Sequence, residues 1–185
     1  MKGSVVIVSF SARKHGNCEN IADRLQAIFP EAVLYRFSEF TIQPCGRCHY
    51  ECFSPSSLCP QADDQEQTLM EAIVRSKMTF FVVPNYCDYP CANFFAFNER
   101  SQCYFQHRPE LVEAYMEVPK KFIVVSNTGQ DNFREAFRQH TNEEPAILFL
   151  SARNYGKVSL AGDLMTSQEV RQAAEAFAAS PKSIL

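Results

Sequence analysis

The sequence lacks the features of several common classes of protein. It has no run of about 18 apolar residues, the length that a membrane-spanning helix needs. Its formal net charge of -3 provides no excess of lysine and arginine for the basic stripe that nucleic-acid binding requires. Six glycines and ten prolines among 185 residues, 46% of them hydrophobic, are typical of a compact domain rather than a disordered or fibrous chain. We therefore expect partners that are small molecules or proteins, and neither nucleic acid nor membrane.

Three catalytic and nucleotide-binding motifs are also missing. The sequence contains no GxxxxGK[ST] loop for the phosphates of ATP, no GxGxxG loop for a dinucleotide and no GxSxG elbow for a hydrolase serine. The apolar segment Val5–Val8 near the N-terminus is too short for the core of a signal peptide. We therefore expect a cytoplasmic protein, in which thiols stay reduced.

Eight cysteines are the unusual part of the composition. Their density is well below that of a small disulfide-stapled scaffold, and a chain of this length can bury a core without such bridges. In a reducing compartment, clustered cysteines more often bind metal or take part in redox chemistry. The cysteines therefore call for a chemical explanation.

Five apolar runs rich in β-branched and aromatic residues predict buried strands. They are Val5–Val8, Ala32–Tyr35, Phe80–Val83, Phe122–Val125 and Ala146–Leu150. Their continuous hydrophobicity is typical of parallel strands covered by helices on both faces. Helical spacing appears between them, in segments around Ile21–Phe29, Leu69–Val74, Phe133–Phe137 and Val170–Phe177, and less regularly in Cys91–His107.

The alternation of strand and helix predicts an α/β fold with right-handed crossovers. Five strands fit a flavodoxin-like three-layer α/β/α arrangement around a five-stranded parallel sheet. We expect residues 1–185 to form one such domain, with a cysteine-rich insertion at about 41–61. Ligands of open α/β sheets bind beyond the carboxyl ends of the strands, so the loops after the first, third and fourth predicted strands are the candidate site.

The first of these loops has the residues of an anion site. Ser9, Ser11 and Arg13 precede Gly16, which opens a helix. Hydroxyl groups, free backbone amides and the positive end of a helix dipole together attract phosphate. The same residue types also form turns and cap helices without any ligand.

The segment Ser9–Cys18 resembles the S-x-R-x-x-G-N-[ST] phosphate loop of the NADPH-dependent FMN reductase and iron-sulfur flavoprotein group of flavodoxin-like proteins. Ala12 stands where proline is common in that group, and Cys18 replaces the usual hydroxyl residue. Because a thiol is a weak donor, the backbone N–H groups of Asn17 and Cys18 would bind more of the phosphate. The resemblance implies FMN as cofactor, with NAD(P)H as a transient co-substrate.

Two further loops complete the predicted cofactor site. Pro84–Pro90 follows the third strand and resembles the P-x-Y segment that borders the isoalloxazine ring in that group, and Asn127–Gly129 lies in the turn after the fourth strand. The cofactor-binding residues predicted from all three loops are Ser9, Ser11, Arg13, Gly16, Asn17, Cys18, Pro84, Asn85, Tyr86, Cys87, Asn127, Thr128 and Gly129. No side chain is predicted to act as a catalytic acid or base, because the flavin ring supplies the chemistry.

Four cysteines follow the second strand with the spacing C-x2-C-x3-C-x6-C: Cys45, Cys48, Cys52 and Cys59. Four thiolates within 15 residues can surround one metal centre. The segment resembles the compact cysteine motif that iron-sulfur flavoproteins use for a 4Fe-4S cluster. A tetrahedral zinc site and a set of free thiols are the two alternatives, and Cys103 is assigned to ordinary packing.

These features predict an FMN-binding oxidoreductase that takes a hydride from NAD(P)H and passes electrons to a small-molecule or redox-protein acceptor. The resemblance further implies a homo-oligomer, since such proteins are often dimers. One alternative is an electron-transfer flavoprotein with FMN and an iron-sulfur cluster but without direct NAD(P)H oxidation. The other is a zinc-stabilised interaction module that has lost flavin.

Overall fold

A computed structural model describes residues 4–46, 48–54 and 59–181 of the chain. Its five long strands are β1 (Val5–Ser9), β2 (Val33–Arg36), β3 (Met78–Tyr86), β5 (Lys120–Val125) and β6 (Ala146–Leu150). They pair in parallel in the order β2-β1-β3-β5-β6. The two-residue strand β4 (Tyr89–Pro90) turns back and pairs antiparallel with the end of β3.

Within the described residues, six α-helices cover the two faces of this sheet. They are α1 (Asn17–Ile28), α2 (Glu66–Arg75), α3 (Ala92–Phe105), α4 (Pro109–Glu117), α5 (Gln130–Arg138) and α6 (Gln168–Ala179). Side chains of α1 and α6 pack in one core cluster, and side chains of α2, α3, α4 and α5 pack in the other. Short 3-10 helices occupy Glu51–Phe53, Ala152–Tyr155 and Leu164–Thr166.

The alternation of side chains along each strand explains why the sheet has two cores. In β1, Val6 and Val8 contribute to the larger cluster, while Val5 and Ile7 contribute to the smaller one. All five residues of β1 are buried, as a central strand covered on both faces requires. The predicted α/β class and the five-stranded parallel sheet in flavodoxin-like order are therefore confirmed.

Differences from the sequence prediction occur mainly around the third strand. β3 continues through Pro84 to Tyr86, where we expected a loop, because the chain forms a tight hairpin with β4 there. The less regular aromatic segment contains the regular helix α3, and α4 was not anticipated. Pro109 starts α4, at the position where a missing N–H costs nothing.

Within the described residues, no helix is both long and apolar enough to cross a membrane.

His140 is a buried polar group in the aromatic part of the larger core. Its ring lies against Phe94 and Phe97, and its Nδ1 atom shares a 2.7 Å hydrogen bond with the Tyr115 hydroxyl. Complete burial lowers the pKa of His140 to about 3, and the nearby Lys120 ammonium adds to this effect. The folded protein therefore keeps His140 neutral at pH values where the unfolded chain protonates it.

This burial predicts a specific loss of stability in acid. Because the folded pKa lies below the unfolded value of about 6.5, the unfolded state binds the additional proton and stability falls as pH decreases through that window. Substituting His140→Phe should flatten the dependence of unfolding free energy on pH by up to about 1.4 kcal/mol per pH unit between pH 6 and pH 4. Urea unfolding at several pH values measures this slope.

His49→Gln is the control for this prediction, because His49 is an exposed histidine. That variant should retain the slope of the unsubstituted protein. His140→Phe also leaves the Tyr115 hydroxyl without its partner, which lowers stability equally at all pH values below the tyrosine pKa. Parallel stability curves for His140→Phe and the unsubstituted protein would contradict the prediction.

Candidate functional site

The loop between β1 and α1 begins with a buried ionic network. The Ser9 hydroxyl donates a 2.5 Å hydrogen bond to Glu19 Oε1, and the other oxygen of Glu19 accepts from Arg36 at the end of β2. Arg36 also donates to Asp23, with 2.5 Å between Nη2 and Oδ1. Glu19 is buried in the first turn of α1, so Arg36 neutralises a carboxylate that would otherwise repel an anion at this helix end.

The middle of this first loop is a turn, and the N-terminus of α1 follows it. The Arg13 N–H donates to Ser11 Oγ over 3.1 Å, while Ser11 itself is buried. Gly16 is the N-cap residue of α1 and has an extended backbone conformation. Because it has no side chain, no side-chain hydrogen bond caps the helix. The first N–H groups of α1 therefore have no partner within the helix, as in any helix N-terminus.

The segment 157–163, which follows β6, packs against this loop. The Asn17 side chain donates to Ser159 O over 2.9 Å and accepts from the Leu164 N–H over 2.9 Å. Arg13 Nη2 donates to Leu160 O over 2.8 Å. Two residues of the predicted phosphate loop, Arg13 and Asn17, therefore also anchor a segment more than 140 residues away in the chain.

The second predicted loop is the hairpin between β3 and β4. Its two turn residues, Cys87 and Asp88, have φ values of 53° and 67°, the left-handed pair that a tight two-residue hairpin uses. Tyr86 and Tyr89 are paired across the hairpin, and both are about half exposed. The hairpin therefore presents two aromatic rings at the carboxyl edge of the sheet.

The hairpin and the third predicted loop are joined by hydrogen bonds. Asn85 Nδ2 donates to Ser126 Oγ over 2.5 Å and to Thr128 O over 3.1 Å. The Thr128 hydroxyl donates to Asp88 Oδ1. Gly129 opens α5 at a φ of 73°, and a Cβ placed there would lie 2.6 Å from backbone atoms of Asp88. Only glycine fits this position without displacing the hairpin.

A pocket of about 250 Å³ lies between these loops. It is lined by Asn85, Cys87, Asp88, Val125, Ser126, Asn127, Thr128 and Ser159. Asn127 crosses to the segment 157–163, because its Nδ2 donates to Ser159 Oγ over 2.8 Å. Asn85 Oδ1 is buried and has no hydrogen-bond partner within the described part of the chain. A ligand N–H in the pocket would satisfy that acceptor.

Two cysteines near the first loop have buried thiols. Cys18 packs in the smaller core cluster, and burial raises the pKa of its thiol well above the ordinary value. Only its backbone N–H is available for a phosphate. Cys91 precedes α3 and donates to Phe10 O over 3.3 Å, and burial raises its pKa to about 11. Asn93 donates to the same carbonyl over 2.9 Å, so the start of α3 holds the end of β1 in place.

The four cysteines of the predicted metal motif lie in the segment after β2, partly in the 3-10 helix Glu51–Phe53. Among residues 4–46, 48–54 and 59–181, no three His, Cys, Asp or Glu side chains are arranged to hold a metal ion. All eight cysteines are free thiols. The metal assignment for Cys45, Cys48, Cys52 and Cys59 therefore stays a prediction from sequence.

Cys103, which the sequence assigns to ordinary packing, lies on α3. Its thiol is half-buried and lies near those of Cys52 and Cys59. Partial burial and these two neighbours raise the pKa of Cys103. Sequence spacing could not reveal this contact, because Cys103 lies on α3, more than 40 residues after Cys59.

The structure thus brings most of the predicted cofactor residues to one edge of the sheet. The first loop and the pocket are connected through Ser159, which neither motif nor spacing had indicated. Glu19 was also missed, although its position in the first turn of α1 is a recognisable signal. The four motif cysteines come after β2, which is an edge strand of this sheet. None of them lines the pocket.

Comparison with known proteins shows similarity in structure alone. No family model matches the chain, and none of the curated proteins matches it in sequence. A Trp repressor binding protein from Bacillus subtilis superimposes with a TM-score of 0.62 at 14% identity, covering 97% of this chain and 99% of that one. FerB from Paracoccus denitrificans, a flavoenzyme NAD(P)H:(acceptor) oxidoreductase, has a TM-score of 0.54 at 13% identity and 94% coverage of both chains.

A third similar structure is the apo form of EmoB, an NADH:FMN oxidoreductase. Its TM-score is 0.52 at 11% identity, with 98% of this chain and 91% of that chain covered. At these identities the comparisons show the fold, which agrees with the strand order described above.

The close approach of Gly129 to the hairpin predicts that Gly129→Ala is more destabilising than Gly156→Ala. Both glycines have a positive φ, which costs an alanine about 1–2 kcal/mol. A Cβ at Gly156 meets nothing within 4 Å, whereas one at Gly129 overlaps Asp88. Gly129→Ala should therefore lower the free energy of unfolding by about 1–3 kcal/mol more than its matched control.

Urea unfolding of the two variants measures this difference. Equal losses of stability would contradict the contact between Gly129 and the hairpin.

Proposed function

We propose that this protein is an FMN-binding oxidoreductase that accepts a hydride from NAD(P)H and passes electrons to a second acceptor. One observation carries the proposal. Side-chain hydrogen bonds of Asn17, Asn85 and Asn127 connect the loops after the adjacent strands β1, β3 and β5, and Ser159, in the segment after β6, joins the first loop to the third. Such a carboxyl edge, where strand order reverses, is where flavodoxin-like sheets bind a mononucleotide.

The first loop would hold the phosphate. The free N–H groups at the start of α1 point their dipoles toward an anion, and the helix has twelve residues behind them. Arg13 is exposed and one of its nitrogens is occupied by Leu160 O, which leaves other guanidinium donors for a phosphate oxygen. Pairing with Arg36 keeps the buried Glu19 carboxylate from opposing that charge.

The pocket beside the hairpin would hold one edge of the ring. Asn85 Oδ1 is the buried acceptor without a partner, and the N–H of a ring imide would supply its missing hydrogen bond. Tyr86, Tyr89, Val158 and Leu160 are large exposed apolar side chains near this edge, and a planar aromatic ring could be covered by them. When bound, the flavin supplies the hydride and electron chemistry, and the chain supplies binding, orientation and exclusion of water.

The descriptions of two similar structures support this proposal. FerB is described as an NAD(P)H:(acceptor) oxidoreductase and EmoB as an NADH:FMN oxidoreductase. Because the sequence has no dinucleotide fingerprint, we propose that NAD(P)H binds transiently over the exposed face of the ring. A homo-oligomer and a small-molecule or redox-protein acceptor remain parts of the same proposal.

Anaerobic reduction tests the proposed activity. Protein reconstituted with FMN should lose its flavin absorption near 450 nm on addition of NADH or NADPH, faster than free FMN at the same concentration. An electron acceptor should then restore that absorption. A rate equal to that of free FMN would overturn the proposed hydride transfer while leaving flavin binding intact.

Substitutions in the first loop test the phosphate site. Ser11→Ala and Arg13→Ala should each weaken FMN binding about tenfold or more, because a hydrogen bond to a charged group contributes about 1.5–3 kcal/mol. Arg24→Ala is the matched control, since Arg24 is an exposed arginine paired with Glu175 away from the loop. Flavin fluorescence titration measures the dissociation constants, and unchanged affinity in both loop variants would refute the phosphate assignment.

Riboflavin separates this effect from a general loss of fold. Because riboflavin has no phosphate, its affinity should change much less than that of FMN in the same two variants. An equal loss for both ligands would show that the substitutions damage the pocket rather than the phosphate contact.

A further inference from the structure

The segment that follows β6 is fastened to the first loop and to α1. Asn17, the first residue of α1, donates to Ser159 O over 2.9 Å, and Asn20 donates to Gly162 O over 2.7 Å. Gly162 has a φ of 75°, and a Cβ placed there would lie 2.8 Å from His15 O. The backbone of this segment therefore lies directly against the first loop, and α1 fixes the position of Ser159.

The side chain of Asn127, in the turn after β5, has one orientation, because two donors fix it. The Arg153 backbone N–H and the Ser151 hydroxyl both donate to Asn127 Oδ1, over 3.2 and 2.8 Å. A backbone N–H only donates, so the atom that faces it is the amide oxygen. Asn127 Nδ2 therefore faces Ser159, and it donates to Ser159 Oγ over 2.8 Å.

The hydroxyl of Ser159 is left with a proton to donate. Its oxygen accepts from Asn127, and no hydrogen bond from it reaches another described residue. Ser159 is exposed and lines the pocket of about 250 Å³ beside the hairpin. The pocket thus offers a ligand the Ser159 hydroxyl as donor and Asn85 Oδ1 as acceptor.

Ser159 stands between the two parts of the proposed flavin site. Its carbonyl is bound by the first turn of α1, where the phosphate would lie, and its hydroxyl is bound by the turn after β5, beside the pocket for the ring. In FMN, a chain of hydroxyl-bearing carbons joins the phosphate to the ring. A chain that runs from the first loop to this pocket passes the residue that contacts both.

We infer that Ser159 is a ligand-binding residue whose hydroxyl donates a hydrogen bond to the hydroxyl-bearing chain between phosphate and ring. This inference rests on the proposed function, because it adds a contact at the same site. It assigns a role to a residue outside the three loops that the sequence indicated. The ligand class that Ser159 favours is a planar ring carrying a polyol chain, with or without a phosphate.

The contact favours a polyol chain over an apolar one. The exposed Ser159 hydroxyl is hydrated in the free protein, so a ligand that covers it displaces the water that it binds. A hydroxyl oxygen of the ligand replaces that hydrogen bond, whereas a methylene group leaves the donor unsatisfied. Ser159 therefore distinguishes ligands that share a ring and differ in the chain.

Fluorescence titration with three flavins tests the inference. FMN has ring, chain and phosphate, riboflavin lacks the phosphate, and lumiflavin has a methyl group in place of the chain. Ser159→Ala should weaken the binding of both FMN and riboflavin about fivefold, the usual effect of one neutral hydrogen bond. Its affinity for lumiflavin should equal that of the unsubstituted protein.

Two further variants control for the network around Asn127. Ser151→Ala removes the other hydroxyl partner of Asn127, and Ser151 does not line the pocket, so this variant should keep all three affinities. Ser159→Thr retains a hydroxyl at the same position and should bind FMN and riboflavin as the unsubstituted protein does. Circular dichroism checks that each variant is folded.

Unchanged affinity of Ser159→Ala for FMN and riboflavin would overturn the inference, while FMN binding by the unsubstituted protein would leave the proposed function intact. An equal loss for lumiflavin, or an equal loss in Ser151→Ala, would also overturn it, because either result would assign the effect to a displaced Asn127. If the unsubstituted protein binds none of the three flavins, the proposed function fails and this inference fails with it.

Discussion

Burial of the parallel sheet on both faces is the constraint on which the rest of this structure depends. Every residue of β1 is buried, and its side chains alternate between two separate cores. Such strands have no room for polar function along their length. Because all five long strands run in the same direction, their carboxyl ends meet at one edge, and the polar residues that follow them are brought together there.

At that edge, neutral amide side chains connect loops that are distant in the chain. Asn17 binds the segment after β6, Asn85 binds the turn after β5, and Asn127 binds Ser159. Each amide both donates and accepts, so one side chain can satisfy two backbone segments at once. Asn85 is the exception, because its oxygen has no partner within the described residues. These hydrogen bonds therefore connect the loops at this edge, and one buried acceptor is left without a partner among the described residues.

Two buried charged side chains, those of Glu19 and Arg100, form ion pairs. Glu19 is neutralised by Arg36, and Arg100 is neutralised mainly by Asp64. Glu66 lies 3.6 Å from Arg100, yet burial outweighs that attraction and raises the pKa of Glu66 to about 7. Arg100 is thus paired with Asp64 and with Glu66, whose raised pKa leaves it partly protonated near neutral pH. Arg100 also donates to the backbone carbonyls of Gln43 and Gln61, at the two ends of the segment that carries the four motif cysteines.

Local patterns in the sequence determined the strands, most of the helices, the α/β class and the two loops that join at the pocket. Those features depend on hydrophobic periodicity and turn residues within about ten positions of one another. Only the tertiary structure decided that Ser159 connects the first loop to the pocket and that Cys103 lies near Cys52 and Cys59. It also decided that Pro84–Pro90 is a hairpin, because β3 could extend only once a returning strand satisfied its backbone. Contacts of this kind join residues that lie far apart in the chain or require a partner strand, so no local pattern encodes them.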